Sequence, residues 1–166
     1  KPSDQIELSG GWGGYIGFVG TLGLVFNNFS TKNITNLKAW KPLPSGDGQK
    51  LAVRFQASGR QYQTYSISFS EPWLGGKKPV NFGINLSHTV YRTVDYSNLY
   101  TRSTTGLKFL GAYKNSGITI SLGKRLKIPD RYFVLSTALS YQRYKMDSLD
   151  LFGIGYPNGV SNNVTL

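Results

Sequence analysis

The sequence contains no cysteine and one histidine, His88. The first absence excludes a disulfide scaffold, a thiolate metal site and a cysteine nucleophile. The second leaves no set of imidazoles for a metal centre. Charge is also scarce: Asp, Glu, Lys and Arg make up 16% of the chain, against roughly 25% in an ordinary soluble domain. Acids are the rarest, eight against nineteen bases, so the net charge is +11. No run approaches the roughly 18 consecutive apolar residues of a transmembrane helix.

Glycine and aromatics are plentiful, with 20 Gly, 11 Tyr and 9 Phe in 166 residues. That length suits one domain. Seven of the glycines lie between positions 10 and 26. Each would cost a helix about 1 kcal/mol relative to Ala, so this apolar stretch is read as strand. Mean hydropathy is −0.27, a value that alternating membrane strands reach by averaging.

Period two recurs along the chain. Ile6 and Leu8 oppose Gln5, Glu7 and Ser9. A turn is expected at Gly11-Trp12-Gly13-Gly14, then a strand to Phe26. Residues 27–48 read as a long connection with one short helical turn near 36–40. Leu51, Val53, Phe55 and Ala57 then oppose Ala52, Arg54 and Gln56. After a turn at Ser58-Gly59-Arg60, Tyr65, Ile67 and Phe69 oppose Thr64, Ser66, Ser68 and Ser70. Pro72 and Gly75-Gly76 end that strand. Val80, Phe82, Ile84, Leu86 and Val90 oppose Asn81, Gly83, Asn85, Ser87 and Thr89. Residues 95–105 read as loop, and 106–113 fit either a barrel strand or an extracellular loop. Ile118, Ile120 and Leu122 form one more face. A turn at Lys127-Ile128-Pro129-Asp130 leads to Phe133, Leu135, Leu139 and Tyr141. Residues 146–159 read as loop, and 160–166 open a further strand.

The strands are long, and their second faces carry Ser, Thr, Asn, Gln, Gly and Arg. This pattern predicts an all-β fold, an antiparallel transmembrane β-barrel with an apolar outside and a polar lumen. Trp12, Tyr15, Trp73, Tyr91, Tyr132 and Tyr144 suit interfacial aromatic girdles. A soluble or surface β-sandwich adhesin is the rival all-β reading.

Chemistry is thinly represented. His88 falls on an apolar parity, and adjacent Ser87 points to the opposite face, which disfavours that pair as a nucleophile and base. The carboxylates Asp4, Glu7, Asp47, Glu71, Asp95, Asp130, Asp147 and Asp150 are scattered. No catalytic residue, metal ligand or cofactor is assigned. Ten bases fall in three connections on one side of the expected barrel: Lys32, Lys38, Lys41, Lys50, Lys77, Lys78, Lys124, Arg125, Lys127 and Arg131. They suit anionic inner-leaflet lipid or acidic partner subunits as well as simple solvation. Dispersed bases, with Arg54 and Arg143 expected in the lumen, argue against nucleic acid.

At Asn27-Asn28-Phe29-Ser30 and at Phe69-Ser70-Glu71-Pro72-Trp73-Leu74 the chain resembles the BamA-type outer-membrane protein assembly factors, a family of barrel insertases. The hairpin at 118–144 and the segment Gly159-Val160-Ser161-Asn162-Asn163-Val164 are similar to that family's later strands. Asn28, Phe29, Glu71, Pro72 and Trp73 carry the motif. The resemblance implies the first seven to eight strands of a barrel of roughly sixteen. Residues 1–166 would then be the N-terminal half of the barrel domain, without the periplasmic repeats or the C-terminal half. Long segments at 30–49 and 93–115 suggest a Bacteroidota member. The implied location is the outer membrane of a Gram-negative bacterium. The implied partners are outer-membrane lipid, nascent β-barrel clients and accessory periplasmic or lipoprotein subunits. In this family the first strand meets the last weakly, and client strands add at the seam. The corresponding edge here is Gln5, Ile6, Glu7, Leu8, Ser9, Gly10 and Gly11. An outer-membrane porin or substrate-specific channel is the alternative function.

The expected topology puts 11–14, 58–60, 92–115 and 146–159 outside the cell. Segments 27–48, 71–79 and 126–131 fall in the periplasm.

Overall fold

The computed structural model describes residues 4–13, 17–40, 43–74, 79–95, 108–126, 128, 132–147, 149–151, 154–156 and 159–166. Eight strands form one antiparallel sheet: β1 (Gln5–Trp12), β2 (Phe18–Phe29), β3 (Gln49–Ser58), β4 (Tyr62–Glu71), β5 (Val80–Asp95), β6 (Lys108–Arg125), β7 (Val134–Asp147) and β10 (Gly159–Thr165). Each strand of the sheet pairs with its predecessor, with β10 following β7. A small hairpin, β8 (Leu149–Leu151) with β9 (Ile154–Tyr156), comes between those two in the chain. One 3-10 turn, Leu37–Ala39, lies where the short helical turn was expected.

The register sorts residues into transverse rows. One row reads Ile6, Leu24, Val53, Ile67, Leu86, Ile118, Tyr141, Val164. The next row, on the opposite face, reads Glu7, Gly23, Arg54, Ser66, Ser87, Gly117, Gln142, Asn163. Alternation along each strand thus becomes one apolar and one polar face across the whole sheet. Among the described residues the eight strands lie in one sheet, and the β8–β9 hairpin is the other. Among the described residues the buried aliphatic side chains are Ala57 and Val90, whereas Ile6, Leu8, Ile67, Leu86, Ile120 and Leu139 are all exposed. An apolar face of this extent is stable only against another apolar phase.

The apolar block does not follow the rows. On β2 it spans Phe18, Leu22, Leu24 and Phe26, and on β5 it spans Val80, Phe82, Ile84 and Leu86. On β7 it spans Leu135, Leu139 and Tyr141. Its centre shifts by about six residues over the six spacings from β1 to β7, about 20 Å along the strands against about 29 Å across them. A level apolar belt therefore requires strands tilted by about 35°. That is the tilt of closed β-barrels.

Several boundaries differ from the sequence reading. β1 runs on through Gly11 and Trp12, paired with Val19 and Phe18, and Gly13 N donates to Gly17 O, so the turn expected at Gly11-Trp12-Gly13-Gly14 does not start at Gly11; residues 14–16 lie outside the described residues. Gly17, at φ +89°, supplies the left-handed residue that this turn uses. β2 extends through Asn27, Asn28 and Phe29 past a bulge between Phe26 and Phe29. β5 continues to Asp95, and 108–113 pair with it as the beginning of β6. The ambiguous 106–113 segment thus lengthens the strand that holds Ile118, and the face parity of everything after it is kept. Residues 106 and 107 lie outside the described residues. So do most of the expected 95–105 loop, the Lys127-Ile128-Pro129-Asp130 turn apart from Ile128, the Gly75-Gly76 stop, Tyr15, Lys41, Lys77, Lys78 and Arg131. Tyr91 and Tyr144 are not girdle residues: they share the polar face with Tyr113, whose ring stacks on Tyr144 at 6.0 Å.

Opposite faces make a paired prediction. Ile120→Arg places a cation in the apolar belt and should destabilise the folded barrel by about 2–4 kcal/mol. Thr119→Arg, one residue away on the polar face, should cost less than about 1 kcal/mol. Urea titration of both variants in lipid vesicles measures the difference.

Candidate functional site

Three features stand out: the free strand β1, the polar cluster that shapes its end of the sheet, and the lone histidine. β1 is an edge strand, and among the described residues only β2 pairs with it. Gln5, Ile6, Glu7, Leu8, Ser9, Gly10 and Gly11 all lie in it, and all are exposed. In an antiparallel strand alternate residues direct their backbone groups to opposite neighbours. Every second residue of β1 therefore offers its N–H and C=O on the side away from β2.

Side chains hold this edge to its neighbours at two levels. On the polar face Arg54 Nη2 donates to Glu7 Oε2 at 2.6 Å, reaching from β3 to β1. It can do so because Gly23 stands between them: a Cβ there would lie 3.2 Å from Glu7 Oε2. Both charged groups are more than half exposed, so the pair contributes at most about 1 kcal/mol, and its main role is alignment. On the apolar face Gly10 is opposite Gly20, and the Phe18 ring lies over both. A Cβ at Gly20 would sit 2.5 Å from the Ser9 carbonyl oxygen and 2.6 Å from the Phe18 ring. Close backbone approach, covered by an aromatic ring, replaces the missing side chains.

The motif residues meet at the other end of the sheet. Asn28 accepts twice: its carbonyl from Gly46 N at 3.0 Å and its Oδ1 from Gly48 N at 3.1 Å. Phe29 meets Phe69 edge-on at 6.2 Å. Glu71 Oε2 accepts from Gln49 Nε2 at 3.1 Å. Gln49 is 2% exposed, and its Oε1 accepts from Thr31 N at 2.8 Å while its Nε2 also donates to Thr31 Oγ1 at 3.0 Å. Ser30, fully buried, donates to Asp47 Oδ2 at 2.6 Å and accepts from Asn33 N at 3.1 Å. The 30–48 connection is therefore a folded element tied to the sheet. Asp4 Oδ1, just before β1, accepts from Asn27 N at 3.0 Å and joins the free strand to this end. Pro72 and Trp73 follow Glu71 and line a shallow hollow of about 270 Å³ with Pro79, Asn81, Gly123, Arg125 and Val134.

The sequence pattern gives Gln49, Ser30 and Asp47 no joint role, because single polar residues beside a loop have no period. The one available signal was the phase of Gln49, which places a polar side chain on the otherwise apolar face of β3. His88 Nδ1 lies 2.8 Å from Ser116 Oγ on the apolar face, beside the Tyr65 ring. Ser87 is on the other face, over Gly117, as its parity implied. No group of three or more metal-ligating side chains occurs among the described residues.

The family model described as an Omp85 superfamily domain matches residues 45–150, well over half of the chain. Neither a curated protein nor a solved structure matches it.

Two substitutions test the construction. Gly20→Ala should weaken β1–β2 pairing by about 1–3 kcal/mol through overpacking; hydrogen exchange of the β1 amides should rise while that of β5 and β6 stays unchanged. Gln49→Ala removes the partner of the Thr31 N–H and of Glu71, at a cost of about 1–3 kcal/mol. Limited proteolysis should then cut within 30–48 before any other segment.

Proposed function

We propose that this chain, which belongs to the Omp85 superfamily, is the N-terminal half of a BamA-type barrel that folds client β-barrels into the outer membrane. Family and fold together indicate a bacterial outer-membrane β-barrel, in a superfamily concerned with inserting or transporting proteins. Assembly of clients, accessory periplasmic or lipoprotein subunits, and a Bacteroidota origin are the finer parts of the proposal. They are supported by the Asn28-Phe29 and Glu71-Pro72-Trp73 motifs and by the long connections. The superfamily's chemistry is physical rather than enzymatic, so no catalytic group is assigned.

The family match carries the reading, and β1, which among the described residues pairs with β2 alone, is the strand it assigns to clients. A client strand meeting it would pair antiparallel through backbone N–H and C=O groups, as in β-strand addition. In water each such bond contributes only about 1 kcal/mol net. Beside lipid the alternative is an unsatisfied polar group costing several kcal/mol, so an exposed edge captures strands strongly. Glu7 and Ser9 would face the lumen, and Ile6 and Leu8 the lipid. The Glu7–Arg54 bridge and the Gly10–Gly20 approach keep the template aligned while the outer edge exchanges partners. The hairpin end at 13–17 and 59–61 would lie outside the cell, and the 30–48 connection in the periplasm.

Proline removes one N–H and fixes φ. Of Leu8→Pro and Ser9→Pro, one removes a donor facing β2 and the other a donor on the open edge. Each should lower surface porin at least about tenfold in cells depleted of the native protein. Ser9→Thr should stay within about twofold, since the backbone does the recognising. Normal porin levels with both Pro variants, in a stably folded barrel, would exclude templating by β1. Steady single-channel conductance with normal porin assembly would instead favour the porin reading.

A further inference from the structure

Beyond the apolar block, the outward face of β5, β6 and β7 changes character. The row after Leu86, Ile118 and Tyr141 is His88, Ser116 and Arg143. The following row places Lys114 directly opposite Lys145, and the row beyond it holds Arg92 and Asp147. Like charges facing each other across a strand pair are destabilising. Asp147 answers both lysines, with Lys114 Nζ on Oδ2 and Lys145 Nζ on Oδ1 at 3.3 Å. Arg92 is held in place by donating to the Arg60 carbonyl at 3.0 Å and to Gln63 Oε1 at 3.1 Å. The described side chains of this patch thus hold four cations, two of them paired with its one carboxylate, and Lys145 and Arg143 are exposed.

We propose that this patch binds the phosphate groups of lipid headgroups in the leaflet at the β5–β6 hairpin end, and prefers lipids with more than one phosphate. It rests on the outer-membrane barrel reading and is independent of templating by β1. The occupant follows from position. With strands tilted by about 35°, the Arg143 row stands about 6 Å above the last apolar row and the lysine row about 11 Å. The headgroup layer is about 5–7 Å deep on each side. Lysine stems lie back along apolar surface toward it. On β1 and β2 the same rows hold Leu8, Leu22, Gly10, Gly20, Trp12 and Phe18. The cations therefore appear only where the diagonal belt leaves the hydrocarbon. A single phosphate meets one or two of these bases, whereas a bis-phosphorylated headgroup can answer the lysine pair and Arg143 together.

The test uses the purified full-length protein in phosphatidylcholine nanodiscs containing lipid A, monophosphoryl lipid A or neither, with bound lipid measured by native mass spectrometry. A cation beside an anionic membrane surface changes affinity about fivefold. Lys114→Gln/Arg143→Gln/Lys145→Gln should therefore lose lipid A about a hundredfold. Arg143→Gln/Lys145→Gln leaves the Lys114–Asp147 pair intact and should lose about twentyfold, which serves if the triple variant does not fold. Heat-modifiable gel mobility reports folding separately, so failure of the barrel reading is distinguishable from failure of the patch. Equal lipid A binding by the parent and the folded double variant would overturn the proposal. So would displacement of lipid A by inorganic phosphate, which would mark a simple anion site, or by an acidic peptide, which would mark a protein partner.

Discussion

Backbone hydrogen bonding in a sheet with nothing packed on it is the constraint from which the rest follows. Neither face has a second layer among the described residues, so the sheet is held by its ladders and by the medium on its apolar side. In lipid every ladder position must be filled, because an unpaired amide there costs several kcal/mol. The interior strands meet that requirement from one another. β1 and β10 have one described partner each, and their outer edges are the places where the requirement stays open.

Around that constraint the polar face is built for space and alignment rather than for a core. Gly23 clears the path of the Glu7–Arg54 bridge, and Thr64 meets Thr89 at 3.1 Å much as Thr119 meets Ser140 at 3.0 Å. These contacts keep register across the sheet while leaving the lumen side wet. Among the described residues the fully buried side chains are Ser30, in the 30–48 connection, and Gln49, the first residue of β3, and there a set of hydrogen bonds replaces the missing hydrophobic burial. Such a network is rigid only when every member is satisfied. The motif residues Asn28 and Glu71 complete it, which gives a physical reason for those residue types at those places.

The sequence was a good guide wherever structure is local. Parity within a strand follows from the two-residue repeat, so the faces of Val53, Ile67, Leu86, Ile120 and Leu139 could be read directly. Strand ends were harder to read. Gly11 and Trp12 look like a turn, yet they are strand, because they pair with Val19 and Phe18, a relation that no one-dimensional pattern contains. Asn27 and Asn28 look like loop, yet a bulge carries β2 through them. Residues 108–113 could not be placed until β5 was seen to extend far enough to pair with them.

What the sequence by itself determined is the architecture of each strand: long, alternating, apolar on one side and small or polar on the other. That follows because side-chain direction in a strand depends only on position along it. The tertiary structure alone decided how those strands are offset. Register is a relation between segments far apart in the chain. Only with it in hand do the apolar stretches line up as a diagonal belt, Lys114 come to face Lys145, Glu7 reach Arg54, and β1 and β10 emerge as the edge strands among the described residues.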